Sequence, residues 1–407
     1  MTTLPPRFLP HAVLAALAIG ALGISAFAAY FAPLPDSDDE YNAAGFVVKH
    51  AWVKFALILT TPLRDDLSRA EEDAKLARFF ELNALIAERE RTAGDPATAA
   101  SVASAASAEA SAFRDERAVL ENAVELILEE RLANVVRDAG LSRHFGGDIV
   151  WPPISIEFEP PPAVLVTSPR DEIRRAGESL LDGTLPIERI QRIEERAERD
   201  GATSALVVNI GGIATYPAII PQSPNYRFVL QDIAHEWLHH YLFFAPLGRR
   251  YYESAELRTL NETVANLAGN ELGDIMFERY PLPERTVAAS ATVPAAAGAP
   301  AIDFTREMRE LRRRVEALLR DSQIVEAERL MEEKRGFLAD NGYYIRKLNQ
   351  AYFAFHGSYA DSAGSIDPIG PKLDRLRQQS ASVEEFVETA RELTSDEQLD
   401  AALGATP

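Results

Sequence analysis

A run of apolar residues that also carries three of the seven histidines is the feature that most limits how this chain can fold. The run covers 226–244 and reads YRFVLQDIAHEWLHHYLFF. On a helix, His235 and His239 lie one turn apart on the same face, because four positions separate them. Buried imidazoles need polar partners. We therefore expect a second element to bring polar side chains against this face.

A second helix is predicted over 253–280, and it supplies such partners. Its apolar residues recur at helical spacing, which indicates that it packs inward; they are Leu257, Leu260, Val264 and Leu267. Glu262 lies beside this stripe, where a hydrophobic residue is expected, and Asn266 follows one turn later on the same face. The pattern therefore predicts a polar contact between the two helices.

Two imidazoles and one carboxylate are the donors that a catalytic zinc site with an open position uses. We predict that His235, His239 and Glu262 bind one Zn²⁺ ion, and that Asn266 hydrogen-bonds the outer nitrogen of a ligand histidine. Two alternatives stay open, namely hydrogen-bonded core histidines and a solvated glutamate. Three further glutamates compete as ligands but lack the same pairing with an asparagine: Glu253, Glu256 and Glu271.

The two motifs HEWLH (235–239) and NETVAN (261–266) resemble those of the gluzincin metallopeptidases, which carry H-E-x-x-H and then N-E-x-x-x-D/N. The resemblance covers about 150–280. It implies zinc-dependent hydrolysis of peptide bonds, with Glu236 activating a zinc-bound water. It also implies that a strand at 213–220 pairs with extended substrate. Asn266 stands where better-known members carry Asp. The exopeptidase signature G-x-M-E-N is missing upstream.

The resemblance also implies a further donor to the developing oxyanion, well downstream of the motifs. The stretch LNQAYFAFHGSYADS (348–362) offers Tyr352, His356 and Tyr359. We predict His356 as this catalytic residue, and a core or surface histidine is the alternative. Tyr251 and Tyr252, between the two motif helices, are weaker candidates.

Residues 12–31, AVLAALAIGALGISAFAAYF, carry no charge and are long enough to cross a hydrocarbon core of about 30 Å. Arg7 precedes them and the acidic DSDDE (36–40) follows, so the rest of the chain is expected outside the cytoplasm. The prediction is a single-pass anchor in the cell membrane with an extracytoplasmic catalytic domain. The small-x-small triplet AFA at 26–28 favours the alternative, a cleaved signal segment and a secreted protein.

The charge balance and the missing cysteines exclude several classes of function. A net charge of −20 is unsuited to a nucleic-acid partner, because phosphate binding needs clustered cations. The chain has no cysteine, which rules out disulfides, thiolate metal sites and cysteine nucleophiles. The expected partners are a peptide or protein substrate and, through the N-terminal helix, a membrane. Neither the substrate's identity nor the oligomeric state is indicated.

The predicted fold class is α+β, mainly helical, with a small mixed sheet next to the HExxH helix and a helical C-terminal lobe. Strands are predicted at 154–159, 163–168, 204–210 and 213–220, a helix after Ser168-Pro169, and one long helix at 305–335. The chain is predicted to begin with an anchor or signal segment at 1–33, followed by a helical region at 34–146 with a low-complexity linker at 93–112. A zincin-like catalytic core is predicted at 147–280. A Pro/Ala linker at 281–301 then leads to the C-terminal lobe at 302–407.

Two functions of other classes stay open beside the peptidase. One is a metal-binding but inactive relative that acts as a binding module. The other is a structural helical membrane protein in which HEWLHH is coincidental. The helices within 40–139 carry no recognisable chemistry, and their pattern is compatible with a stalk, a membrane-facing platform or a partner surface.

Overall fold

The computed structural model describes residues 38–47, 49–50, 54, 67–95, 97–144, 148–283 and 302–405. The predicted span at 12–31 and the linker at 284–301 lie outside these residues. Among the helices that are described, none combines the length and the hydropathy needed to cross a membrane.

The predicted α+β class, mainly helical with a small sheet, is confirmed. The helices are α1 (Arg69–Gly94), α2 (Ala100–Asp138), α3 (Ile187–Ala197), α4 (Tyr226–Phe243), α5 (Pro246–Arg249), α6 (Ala255–Arg279), α7 (Phe304–Arg320), α8 (Ile324–Asp340), α9 (Gln350–His356), α10 (Ile369–Gln379), α11 (Val383–Ala390) and α12 (Asp396–Ala405). The strands are β1 (Arg143–His144), β2 (Asp148–Ile149), β3 (Ile156–Phe158), β4 (Ala163–Pro169), β5 (Gly177–Leu181), β6 (Thr203–Asn209) and β7 (Ala218–Ile220).

Helices α1 and α2 pack against each other as a long hairpin. The low-complexity segment at 93–112 is helical from Ala100 onward, where α2 begins. Alanine is the strongest helix former, and Ala106 and Ala110 are buried. Gly140, with a φ of 83°, follows the helix, where glycine is favoured. The hairpin belongs to the same hydrophobic core as α4 and α6.

Strand β4 is the centre of a three-stranded antiparallel sheet in the order β5-β4-β6. The helix predicted after Ser168-Pro169 is wrong, because β4 runs through Pro169 and the chain returns as β5. Pairing with β4 outweighs the helix-forming residues of that segment. Apolar residues of α9 cover one face of this sheet and those of α3 cover the other.

Strands β3 and β7 form a separate parallel pair. The strand predicted at 213–220 is shorter than expected and covers only β7. Ile213 instead folds back and pairs antiparallel with Ile219, so at this point the outer edge of β7 already has a backbone partner. The preceding segment passes over α4, where Gly211 lies against Asp232.

Helices α4 and α6 are the central pair of the main core. Asn225 and Ser254 cap their first turns through side-chain oxygens. Their axes come unusually close at two glycines of α6. A methyl group at Gly269 would lie 2.9 Å from the Cα of His235, and one at Gly273 would lie 2.5 Å from the Cα of Gln231. Only glycine allows this approach.

The long helix predicted at 305–335 is in fact α7 and α8, which are separated at 321–323. Ser322 adopts a φ of 60° there, which ends the first helix. These two helices form a core of their own, together with Leu348 and Phe353. Helices α10, α11 and α12 instead contribute to the main core that contains α4 and α6.

Residues 38–47 are built into the body of the protein. Tyr41 donates its backbone N–H to the carbonyl of Leu180 at 3.0 Å, and Asp39 forms a two-pronged ion pair with Arg189 at 2.6 Å. Phe46 and Val47 pack against Ile219. The segment therefore extends the outer edge of β5.

A buried ionic network follows the same segment. Lys54 lies 2.7 Å from Glu125 and 3.4 Å from Glu157, and both carboxylates are largely shielded from solvent. His50 lies 2.9 Å from Glu157 through Nδ1 and 3.0 Å from Glu159 through Nε2. Burial alone would lower the pKa of His50, but these two carboxylates outweigh it and raise the pKa to about 9.

Candidate metal centre

The three predicted ligands converge on one point between α4 and α6. The Nε2 atoms of His235 and His239 are 3.0 Å apart. Oε2 of Glu262 lies 3.7 Å from the first and 3.5 Å from the second. In the described part of the chain, no other set of histidine and acidic side chains is grouped closely enough to hold a metal.

These separations fit a divalent ion. Zinc bonds of about 2.0–2.2 Å at the tetrahedral angle place neighbouring ligand atoms about 3.3 Å apart, and the three observed separations lie on both sides of that value. All three residues are largely shielded from solvent. A set of two imidazoles and one carboxylate, without thiolates, is the chemistry that Zn²⁺ accepts in a site with an open position.

Neighbouring side chains orient two of the ligands. Nδ1 of His239 lies 2.9 Å from Oδ1 of Asn261, so the Nδ1–H donates to the amide and the Nε2 lone pair faces the ion position. The hydroxyl of Tyr251 donates to Oε1 of Glu262 and leaves Oε2 facing the imidazoles. The sequence analysis missed Asn261, although it is the first residue of the NETVAN motif.

Asn266 lines the same cavity and donates to Asp361 at 3.2 Å. Burial lowers the pKa of His235, and a side-chain hydrogen bond with Asn266 acts in the opposite direction. The three competing glutamates are engaged elsewhere. Glu253 pairs with Arg250, Glu271 pairs with Arg377, and Glu256 accepts the backbone N–H of Asp396.

The pKa values of the three ligands diverge for electrostatic reasons. Burial and the charge of His239 lower the pKa of His235 to about 4. Burial opposes the charged forms of His239 and Glu262, but their mutual attraction is stronger. It raises the pKa of His239 to about 9 and lowers that of Glu262 to about 2. Two imidazoles this close are not both protonated to the cationic form.

Glu236 lies on the buried side of α4 and faces the cavity. Burial raises the pKa of its carboxyl well above the ordinary value, and the charges of Asp232 and Glu262 act in the same direction. Burial also raises the pKa of Asp232, one turn earlier, to about 7. A methyl group at Gly212 would lie 2.7 Å from Oε1 of Glu236, so a glycine is needed beside this carboxyl.

The ligands open onto a cavity of about 1150 Å³. Its lining includes Tyr251, Tyr252 and Tyr359 but not His356. The ring of His356 packs against Tyr352 instead, with a centroid distance of 4.2 Å, and burial lowers its pKa to about 4. Burial, followed by the charges of Glu262 and Glu236, raises the pKa of Tyr359 well above its ordinary value. Tyr359 is therefore the downstream residue that faces the site.

His240, to which the sequence analysis gave no role, holds one wall of the cavity. Its Nε2–H donates to the carbonyl of Thr215 at 2.8 Å. Its ring also packs on Tyr216. Both contacted residues line the cavity, so the third histidine of the cluster connects α4 to the segment before β7.

Comparison of the chain with protein-family models, with curated proteins and with solved structures finds no match. The functional argument therefore depends on the geometry of this site.

Proposed function

We propose that this protein is a zinc-dependent hydrolase of peptide bonds, of gluzincin type. The observation that carries the proposal is the convergence of His235, His239 and Glu262 within bonding range of one ion, at a cavity that Glu236 also lines. A chance occurrence of the H-E-x-x-H motif requires neither a carboxylate from a second helix at this point nor a cavity beside it.

A zinc ion held by the three ligands would supply Lewis acidity and a water with a lowered pKa. Glu236 is the proposed base, because its carboxyl group lines the same cavity as the three ligands and can take a proton from a bound water and return it to the leaving amine. Tyr359 is the proposed donor to the carbonyl oxygen on which charge develops. It takes the role predicted for His356, because its side chain lines the cavity.

The test compares Glu236→Gln with Glu262→Ala in the purified full chain. We expect Glu236→Gln to retain stoichiometric zinc and to lose hydrolysis of a peptide library by at least about a hundredfold, because the proton acceptor is removed while the ligands stay. Glu262→Ala is expected to lose the metal. Wild-type protein that holds no stoichiometric zinc, or Glu262→Ala that keeps it, contradicts the proposal.

Two other outcomes separate the alternatives. An inactive binding module would bind its partner equally well with glutamine at position 236. A structural protein with a coincidental motif would respond to His235→Ala only in its stability, and chelation would change nothing. We further propose, from the uncharged run at 12–31, that the catalytic domain lies outside the cytoplasm and is anchored to the cell membrane.

A further inference from the structure

Two arginines beside the metal centre share one carboxylate. Arg175 lies on the approach to β5, and its Nη1 is 3.2 Å from Oε2 of Glu178. Arg258, on α6 one turn before Glu262, lies 3.6 Å from the same oxygen. The residues that the structure describes provide no other ion pair for either guanidinium. The pair therefore keeps an excess positive charge.

Both guanidiniums are poorly satisfied although they are mostly buried. The side chain of Arg175 is 14% exposed and that of Arg258 is 16% exposed. The Nε atom of each is shielded from solvent and has no hydrogen-bond partner within the described residues. Buried guanidinium groups normally have their N–H donors paired, so unpaired donors beside a cavity indicate a missing acceptor.

The arginine pair lies next to the candidate metal centre. The guanidinium of Arg258 lies 5.5 Å from the ring centre of Tyr251, whose hydroxyl donates to the ligand Glu262. That of Arg175 lies 5.1 Å from the ring centre of Phe355. Arg175, Glu178 and Phe355 all line the cavity that contains the ligands. An anion bound here would belong to a molecule that also reaches the ion position.

We propose that Arg175 and Arg258 form a subsite for a carboxylate of the substrate. A carboxylate accepts two parallel N–H donors from a guanidinium, which matches the donors left free here. Glu178 occupies the site when substrate is absent, and its side chain is 38% exposed and free to move aside. The inference rests on the proposed peptidase function. The carboxylate is either the C-terminus of a peptide or an acidic side chain.

The test uses matched peptides that differ only in this group. One pair has a free or an amidated C-terminus, and the other has glutamate or glutamine in an amidated chain. We expect one carboxylate peptide to be preferred in kcat/KM by about tenfold or more over its neutral counterpart. Arg175→Gln and Arg258→Gln should each remove most of that preference, by lowering kcat/KM for the carboxylate peptide more than for its neutral counterpart.

Two further variants control for the possibility that the arginine variants lose the preference because they misfold. Arg250→Gln, in the segment between α5 and α6 and paired with Glu253 at 2.7 Å, should leave the preference intact. Glu178→Gln should increase it, because it removes the competing carboxylate. Cleavage by the wild type without this preference, or a preference that survives in the double variant Arg175→Gln/Arg258→Gln, overturns the inference.

Binding of the same peptides to zinc-loaded Glu236→Gln protein, measured by calorimetry, keeps the two proposals separate. If no peptide is cleaved by the wild type but the carboxylate peptide binds more tightly, and the arginine variants abolish the difference, the peptidase proposal fails and the subsite stands. If peptides are cleaved without regard to the carboxylate, the subsite fails and the peptidase proposal stands.

Discussion

Replacement of Gly269 by alanine tests whether the approach of α6 to α4 sets the ligand spacing. The added methyl group would lie 2.9 Å from both Cα and N of His235. Ordinary contacts of carbon begin at about 3.5 Å, so the helices must separate by about 0.5 Å. Backbone atoms cannot yield as a flexible side chain can, and the shift must therefore be taken up between the two helices.

The separation acts directly on the metal centre. Gly269 lies two turns after Glu262, so both residues move with the same face of α6. The distances of 3.5 and 3.7 Å from Glu262 to the two imidazoles would each grow by about 0.5 Å. Metal sites tolerate deviations of about 0.2 Å in their bonds. We therefore expect zinc affinity to fall by at least about tenfold, as when ligand orientation is lost.

The fold should survive this substitution. Overpacking costs about 1–3 kcal/mol, and alanine in place of glycine within a helix returns about 1 kcal/mol. Zinc affinity is measured by competition with a chelator, and the free energy of unfolding by urea denaturation of the metal-free protein. The matched control is Gly336→Ala in α8, where a methyl group would meet nothing within 4 Å.

We expect the control to bind zinc like the wild type and to gain about 0.5–1 kcal/mol in stability. If Gly269→Ala binds zinc as tightly as the wild type does, the ligand spacing does not depend on the close approach of the helices, and the geometric argument is refuted.

Three other predictions follow from contacts around the site and the ionic network. Asn261→Ala leaves the Nδ1–H of His239 without its acceptor. Zinc affinity, measured by competition with a chelator, should therefore fall by about 10–100-fold. An unchanged affinity would show that Asn261 does not orient His239. Lys54→Met leaves the buried Glu125 without its cation, and urea denaturation at pH 7 should show a loss of about 3–5 kcal/mol. A stability equal to that of the wild type would contradict the network. The folded pKa of His50, about 9, lies above its unfolded value of about 6.5, so its contribution to stability is complete below about pH 6.5 and is lost as the pH rises through 9. Thermal midpoints of the wild type should therefore fall over this range relative to those of His50→Gln, and parallel curves would contradict the assignment.

Periodic apolar stripes and clear first-turn residues made the two motif helices predictable. Helix α4 lies within the apolar run at 226–244, and α6 lies within the predicted 253–280. Strand β5 was missed because its segment is rich in helix-forming residues, and only its pairing with β4 makes it a strand. The break at 321–323 depends on one residue with positive φ, for which the apolar pattern gives no signal.

The grouping of His235, His239 and Glu262 was accessible from sequence because all three residues lie on helices with regular spacing. The arginine pair was not, because Arg175 and Arg258 are 83 positions apart (258 minus 175) and meet only after β5 and α6 have both formed. The downstream residue that donates to the oxyanion was harder still to predict from sequence. His356 and Tyr359 lie three positions apart at the end of a short helix, and the packing of the His356 ring against Tyr352 decides which of them faces the cavity.

In an anchored protein, the backbone hydrogen bond between Tyr41 and Leu180 would limit the distance between the cavity and the membrane. Tyr41 lines the cleft and follows the end of the proposed anchor, Phe31, by ten residues. A fully extended chain covers at most about 3.5 Å per residue, or about 35 Å in all. An anchored protein would therefore reach only substrates that lie close to the bilayer. The length of the segment between the anchor and Tyr41 would then select substrates as strictly as the chemistry of the cavity does.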